Sequence, residues 1–361
     1  MRNSNKTSKI IFTHTAEQEL RKWATNYETG KVFLATEGNV NHFWMGHFES
    51  FLDSGRIKKV VLPSGEENKK LKSVETIWEF LSKEGADRKS LLINIGGGML
   101  TDLAGFAAST FKRGLDFLNI PTTLLSQVDA SVGGKTGINF NGLKNEVGTF
   151  RNPVAVIINS HFLKTLDVQN FKSGFAEMIK HGLIKNREHL NELKSFDFKN
   201  IDYKNLQEII RHSVQVKEFF VTNDPTEKNI RKALNFGHTA GHAIESLAME
   251  QNRAVPHGYA VAWGMITELF LSVKKCGLPQ NSCEELTEWL LDLYGTFRFE
   301  KKDFEPLYEK MTHDKKNEAG RINFTLIPEE GRFEINQNCD KNTVLEGLEY
   351  LRDFQEKESF H

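Results

Sequence analysis

The chain has 361 residues, enough for two domains or one unusually large one with a substantial core. Its 47 Lys and Arg against 48 Asp and Glu leave a formal charge of −1. That balance excludes a global field steering the protein toward nucleic acid or an acidic membrane, so any anion site must be local. No apolar run approaches the roughly 20 residues that span a bilayer, and the opening MRNSNKTSKIIF lacks the apolar core of a leader; the expected location is cytoplasmic. Cys276, Cys283 and Cys339 are odd in number and form no CxxC pair, which argues against a disulfide framework and against a thiolate zinc site. A metal, if bound, takes His and carboxylate ligands.

In chain order, the first half alternates short β-type runs with amphipathic stretches, the pattern of an open α/β sheet. The expected strands are Lys31–Thr36, Lys58–Leu62, Leu91–Ile95, Phe117–Ile120 and Ala155–Asn159. Between them, Lys69–Glu84 sets Leu71, Val74, Ile77, Trp78 and Leu81 at helical spacing, so it should cover the sheet. Beyond about residue 160 strand signals thin out. Helical periodicity dominates through Leu206–Phe220, Ala233–Glu250 and Ala260–Cys276. Arg321–Ile327 and Gly331–Ile335 read as a small hairpin, and Asn342–Phe354 as a closing helix.

The segment LLINIGGGMLTDLAGFAAS runs an apolar strand into Gly96, Gly97 and Gly98 and then into a helix containing Asp102. Glycine lets the backbone approach a pyrophosphate, and the helix N-terminus offers unpaired N–H groups. The spacing is not GxGxxG, and the same glycines could simply make a tight turn. FLNIPTTLLSQVDASVGGKTGIN repeats the logic, with Pro121-Thr122-Thr123 opening a helix and a second glycine pair presenting Lys135. Nine residues on, Lys144-Asn145 adds a cation and a neutral donor suited to phosphate or carboxylate.

In the second half, Glu177 lies in GFAEMIKHG, His238 and His242 in LNFGHTAGHAIE, and His257 in VPHGYAV. A carboxylate with imidazoles suits zinc or a similar divalent ion, and two His four apart share a helix face. Spacing leaves open which of the three histidines bind metal. Arg231, Asn235, His238 and His242 fall at i, i+4, i+7 and i+11 and are expected to line one helical stripe. Lys180 and Lys217 lie near these groups in sequence.

GGGMLTDLAGFAAST, RGLDFLNIPTTLLSQVDASVGGKTGIN, KNEVGTF, SGFAEMIKHGLI and RKALNFGHTAGHAIE together resemble the dehydroquinate synthase family, in order and at familiar spacing over nearly the whole chain. The resemblance implies a Rossmann-like NAD-binding domain over 1–160 and a mainly α-helical metal- and substrate-binding domain over 161–361. It implies NAD and a divalent ion, zinc or cobalt, with Glu177, His238 and His257 as metal ligands and His242 touching substrate. On the NAD side it implies Glu66 and Lys69, the turn Gly97, Gly98, Met99, Leu100, Thr101 and Asp102, then Thr122, Thr123, Lys135 and Lys144, and the segment Phe162, Leu163, Lys164 and Thr165. Around the substrate it implies Arg113, Asp129, Lys135, Asn145, Lys180, Lys217, Glu227, Arg231, Asn235 and Lys316, the last chosen over Lys315.

The family reaction turns a seven-carbon keto-acid phosphate into dehydroquinate by oxidation, phosphate elimination, reduction, ring opening and intramolecular aldol closure, with NAD restored each cycle. A homodimer is expected, with Arg113 reaching a neighbouring subunit's site. The sequence departs from the family pattern at Glu37, where an aspartate is usual, and in Asp224-Pro225-Thr226-Glu227-Lys228-Asn229, which replaces an acidic pair and glycine. The rival readings are another sugar-phosphate cyclase, an iron-dependent alcohol or glycerol-1-phosphate dehydrogenase, and a catalytically silent binding subunit. Arg231, Asn235 and His242 argue for the carboxylate-holding branch.

Overall fold

The structure is a computed structural model and describes residues 8–28, 31–48, 57–141, 143–312 and 322–358. The chain divides into two compact units, Met1–Asp167 with Lys199–Val214, and Val168–Phe198 with Gln215–His361. The units are therefore interleaved in sequence, and the segment 199–214, although it lies well beyond residue 160, belongs with the first.

The first unit is built on six parallel strands: β1 (Lys9–Phe12), β2 (Val32–Glu37), β3 (Ile57–Leu62), β4 (Leu91–Gly96), β5 (Asp116–Pro121) and, after a hairpin described below, β8 (Ala155–Ile158). Their order across the sheet is β1-β8-β5-β4-β2-β3. Side chains alternate between faces, as the period of two demands. Leu34, Ile93 and Leu118 stand in register and feed one core, whereas their neighbours Phe33, Leu92 and Phe117 feed the other. Both faces of the central strands β2, β4, β5 and β8 are thus covered, which is why they read as largely apolar runs, whereas the edge strands β1 and β3 are only partly buried. Each fully buried Leu or Ile contributes about 1.5–3 kcal/mol of transfer free energy.

Helices α1 (Ala16–Ala24), α2 (Gly38–Phe43), α3 (Leu71–Lys83) and α4 (Gly98–Thr110) belong to this unit. The chain leaves β2 for β3 on one side and returns to β4 on the other, so strand order reverses between β2 and β4. Crevices at such reversals, beyond the carboxyl ends of the strands, are where open α/β sheets place ligands. Glu37 and Gly96 end those two strands.

Among the strands, the half-buried edge strand β1 escaped the sequence reading, and so did a hairpin. Strands β6 (Lys135–Phe140) and β7 (Leu143–Phe150) form an antiparallel hairpin. Their mixed polar and apolar residues follow neither an alternating nor a continuous apolar pattern, because β7 is almost entirely exposed.

The second unit is mainly helical, with α5 (Val168–Lys185), α6 (Arg187–Lys194), α8 (His238–Glu250), α9 (His257–Cys276), α10 (Gln280–Tyr294), α11 (Phe304–Thr312) and α12 (Lys341–Glu358), and an antiparallel hairpin of β9 (Phe324–Leu326) and β10 (Glu334–Gln337). Helix α7 (Tyr203–Asn223) begins in the first unit and ends in the second. Helix α9 is the axis of the second unit, packing against α5, α8, α10 and α12. Its residues Val261, Ala262, Gly264, Met265, Ile266 and Leu269 are buried around much of its circumference, the pattern of an internal helix. Among the described residues no helix is long and apolar enough to cross a membrane.

The expected continuous helix from Ala233 to Glu250 is corrected by the structure. Ile230–Asn235 is a 3₁₀ turn, and Gly237, left-handed at φ 77°, breaks the path before α8 begins at His238. Arg231 and Asn235 therefore do not share a straight helical stripe with His238 and His242.

Candidate active site

Two clusters gather the expected site residues, one in each unit. In the first, β4 ends at Gly96 and α4 starts at Gly98, so Gly97 is the hinge of the turn. The Gly97 N–H donates to Glu37 Oε1 at 2.8 Å. Burial pushes the Glu37 carboxyl up and the Gly97 N–H pulls it back in part. Glu37, read from sequence as a departure still able to reach a ribose hydroxyl, thus joins the turn. A Cβ on Gly97 would stand 3.1 Å from Thr123 Cγ2 and 3.4 Å from Glu37 Oε1, so the turn is too tightly backed for a side chain without adjustment.

Lys69 is the centre of this cluster. Its Nζ donates to Asp102 Oδ2 at 2.6 Å and to Asn145 Oδ1 at 2.5 Å, with only 5% of the side chain exposed. Burial works against the ammonium, but Asp102 and Glu66 outweigh it, and the Lys69 pKa is raised. Asn139 ties the group together: its N–H donates to the Lys69 carbonyl, its amide to Glu66 Oε1, and its Oδ1 accepts from the Asn145 N–H. Asn139 was missed as a site residue, although it closes the motif SVGGKTGIN.

The other expected residues of this unit are spread around that centre. Met99, Leu100 and Thr101 form the first turns of α4, with Leu100 and Thr101 buried. Thr122 is buried and its N–H donates to the Gly96 carbonyl, while Thr123 Oγ1 accepts from the Ser126 N–H. Asp129 lies in a π turn, Ser126–Ala130. Phe162 packs edge-on to Trp44, whose indole N–H donates to Thr165 Oγ1 at 2.9 Å; Leu163 is buried and Lys164 lies over the Tyr203 ring. Lys135 and Lys144 are exposed on the β6–β7 hairpin. Arg113 is exposed with φ 66°, directly after Lys112 at φ 48°. Two successive non-glycine residues at positive φ mark a strained loop.

In the second unit, three helices converge. α5 brings Glu177 and Lys180, α8 brings His238 and His242, and α9 brings His257. Glu177 is wholly buried and its Oε2 accepts from the buried Lys180 ammonium. Its Oε1 has no hydrogen-bond partner and lies 3.4 Å from His238 Nε2 and 3.7 Å from His257 Nε2. Both imidazoles are held from behind: His238 Nδ1 is 3.2 Å from the Phe236 carbonyl, and His257 Nδ1 is 3.3 Å from Glu245 Oε2. Donation of Nδ1–H to these acceptors turns each Nε2 lone pair toward Glu177.

Three acceptors facing one point, one of them an orphaned buried carboxylate oxygen, fit a divalent cation. Without one a proton takes part of that role. Burial disfavours charge on His257, yet Glu177 and Glu245 raise its pKa to about 10; burial likewise opposes the Glu177 charge, but Lys180 and His257 hold its carboxyl far below the usual range. His242 is the exposed member, its ring centroid 5.3 Å from His238 and 5.8 Å from His257, and ligand atoms of all three His lie within 4.8 Å of one another. Glu245 was missed because a Glu on a helix is ordinary in sequence.

Arg231 is buried and anchored, with its N–H donating to Asp224 and its guanidinium to the Pro225 carbonyl at 2.8 Å. Asn235 donates to Glu227 Oε1 at 3.1 Å, and Glu227 itself stands at φ 59°. The unusual loop is knotted by Asp224. Burial disfavours its charge, but the N–H groups of Asn229, Lys228 and Arg231 outweigh that and hold its carboxyl below the usual range. Lys217 is buried on α7. Lys316 and its neighbour Lys315 lie outside the described residues.

Residues 59–173 match the model of the 3-dehydroquinate synthase N-terminal family, and residues 174–317 that of its C-terminal family. The chain belongs to the 3-dehydroquinate synthase family. A 3-dehydroquinate synthase of Parabacteroides distasonis is 46% identical over 96% of this chain and 98% of its own length. One of Clostridium tetani is 36% identical over 94% and 91%. Among solved structures, 2-epi-5-epi-valiolone synthase of Streptomyces hygroscopicus, with NAD+ and Zn2+ bound, has a TM-score of 0.83 at 20% identity, over 98% of this chain and 99% of that one. A 2-deoxy-scyllo-inosose synthase complexed with carbaglucose-6-phosphate, NAD+ and Co2+ has a TM-score of 0.80 at 22% identity, over 97% and 98%. At such identities these two structures speak for the fold.

Proposed function

We infer that the chain catalyses its family's reaction, converting 3-deoxy-D-arabino-heptulosonate 7-phosphate to 3-dehydroquinate and phosphate, a carbon–oxygen lyase step of the shikimate pathway to aromatic amino acids. The observation that carries this reading is the orphaned Glu177 oxygen facing two imidazole Nε2 atoms, in a chain aligned almost end to end with 3-dehydroquinate synthases.

Glu177, His238 and His257 would hold zinc or cobalt, while His242, exposed beside them, would face the substrate. Bound NAD supplies a hydride acceptor that becomes the donor later in the same turnover, and the metal acidifies the alcohol to be oxidised. The first unit would be the NAD side, with the Gly97–Asp102 turn receiving pyrophosphate on backbone N–H groups, and Glu66, Lys69, Thr122, Thr123, Lys135, Lys144 and Phe162–Thr165 around it. Arg113, Asp129, Lys135, Asn145, Lys180, Lys217, Glu227, Arg231, Asn235 and Lys316 would surround the substrate. Arg231 and Asn235 suit this work because Pro225, Asp224 and Glu227 already fix them. Donors that need no reorganisation stabilise charge most effectively.

A homodimer and a cytoplasmic location complete the proposal. The dimer is supported by the β6–β7 hairpin, where Phe140, Leu143, Val147 and Phe150 are 39–61% exposed. Exposed apolar side chains of this size suit burial against a second copy.

The test is to supply the keto-acid phosphate with NAD and zinc and to follow phosphate, product and NADH together. Phosphate and dehydroquinate should appear in equal amounts with no net NADH. No phosphate from folded, metal-loaded protein sinks the reading. Accumulating NADH transfers the chain to the dehydrogenase class, and cyclisation only of a substrate lacking the carboxylate transfers it to another cyclase branch.

A further inference from the structure

We propose that Glu268 is a positioning residue for the metal site: from α9 it clamps the first turn of α8 and so sets His238 against His257. The inference rests on the metal reading above, since it concerns how two of those ligands are held.

Helix α8 has no capping side chain of its own, because the residue before it is Gly237. Its open N–H groups are satisfied from the neighbouring helix. Glu268, wholly buried, accepts the Gly237 N–H on Oε2 at 2.7 Å, and the Thr239 and Ala240 N–H groups on Oε1 at 3.1 and 3.3 Å. His238 lies within this clamped turn. A carboxylate accepting several backbone N–H groups at a helix N-terminus is favoured by both hydrogen bonding and the helix dipole.

The clamp is possible because the two helices touch backbone to backbone. A Cβ on Gly264 would fall 2.0 Å from the Gly237 carbonyl oxygen and 2.5 Å from the Gly241 nitrogen, and one on Gly241 would fall 2.9 Å from the Ala260 carbonyl oxygen. Glu268 stands one helical turn beyond Gly264 on α9, whose first residue is His257. One helix therefore carries one proposed ligand and fixes the turn that carries another.

The third ligand-bearing helix is locked in the same manner. Ser173 of α5, one turn before Glu177, accepts the Gly258 N–H of α9 at 2.9 Å, and a Cβ on Gly258 would fall 2.0 Å from the Ser173 carbonyl oxygen. Side chains from adjacent helices thus supply both caps, with α5 capping α9 and α9 capping α8. Groups hydrogen-bonded to a ligating side chain typically tune metal affinity by about 10- to 100-fold, and Glu268, acting one step further back through the backbone of the turn, belongs at the lower end.

The experiment compares wild type, Glu268→Gln, Glu268→Ala and His238→Ala. Zinc affinity is measured by competition with a chromophoric chelator, ligand geometry from the visible spectrum of the cobalt-substituted protein, and folding by circular dichroism. Glu268→Gln keeps the side-chain shape and carries the test where Glu268→Ala does not fold. We expect folded Glu268→Gln with zinc bound about 10-fold more weakly and an altered cobalt spectrum. A Glu268→Gln protein that loses thermal stability yet keeps wild-type zinc affinity and cobalt spectrum overturns the proposal and reduces Glu268 to a helix cap. If His238→Ala binds zinc as wild type does, the ligand assignment itself fails, an outcome distinct from the first, and the proposal falls with it.

Discussion

The two clusters solve opposite problems with similar residue types. Around Lys69 the buried charges are paired within the protein: the ammonium has a carboxylate and an amide oxygen, and Asn139 ties Glu66 and Asn145 to the same centre. Around Glu177 only one carboxylate oxygen is paired, while the other faces two imidazoles without a hydrogen bond. A self-satisfied network is a preformed floor for a ligand. An unsatisfied one is a demand for an ion. The second unit should therefore respond to metal and the first should not.

The largest effect is expected at His238. Its replacement by Ala should abolish turnover and stoichiometric zinc while leaving NAD binding in place, as read by metal analysis and NAD titration. Arg231→Ala should lower turnover by roughly 100-fold or more, since its anchored guanidinium is a preorganised donor. NAD binding should again survive, and near-normal kinetics would remove Arg231 from the site. In the other cluster, Lys69→Ala strips Asp102 and Asn145 of a shared donor and should cost on the order of 3 kcal/mol of stability, by denaturant unfolding. Its zinc content should stay at the wild-type value.

The smallest expected effect is in protons. With its pKa raised to about 10, metal-free His257 stabilises the folded chain fully below its unfolded value and loses that contribution as pH rises through the folded value. Zinc uptake in between should expel about one proton per ion, measurable by calorimetry in buffers of different ionisation enthalpy. The Lys69 cluster should release none.

How much of this was legible in the sequence follows from how local each feature is. The central strands were legible because burial on both faces leaves apolar runs, as in Leu91–Gly96, whereas the half-buried edge strand Lys9–Phe12 was not. The glycine turn was legible because strand, glycines and helix are contiguous. The β6–β7 hairpin was not, since exposed strands carry no burial pattern. Periodicity ran a helix through Gly237 because it counts residues and cannot see a left-handed φ. The metal cluster was least legible of all. The i, i+4 pair His238 and His242 attracts notice, yet Glu177 is met by His238 and by His257 from another helix. Only the family resemblance named that trio, and neither spacing nor resemblance pointed to Glu245 or Glu268 behind it.

In the proposed metal site one carboxylate and two imidazoles, drawn from three helices, hold a single divalent ion. Zinc stoichiometry after equilibrium dialysis tests it directly in wild type, Glu177→Gln, His257→Ala and His242→Ala. We expect about one zinc per chain in wild type and in His242→Ala, and almost none in the other two. Full zinc in Glu177→Gln with loss in His242→Ala would contradict it and leave a site of three histidines.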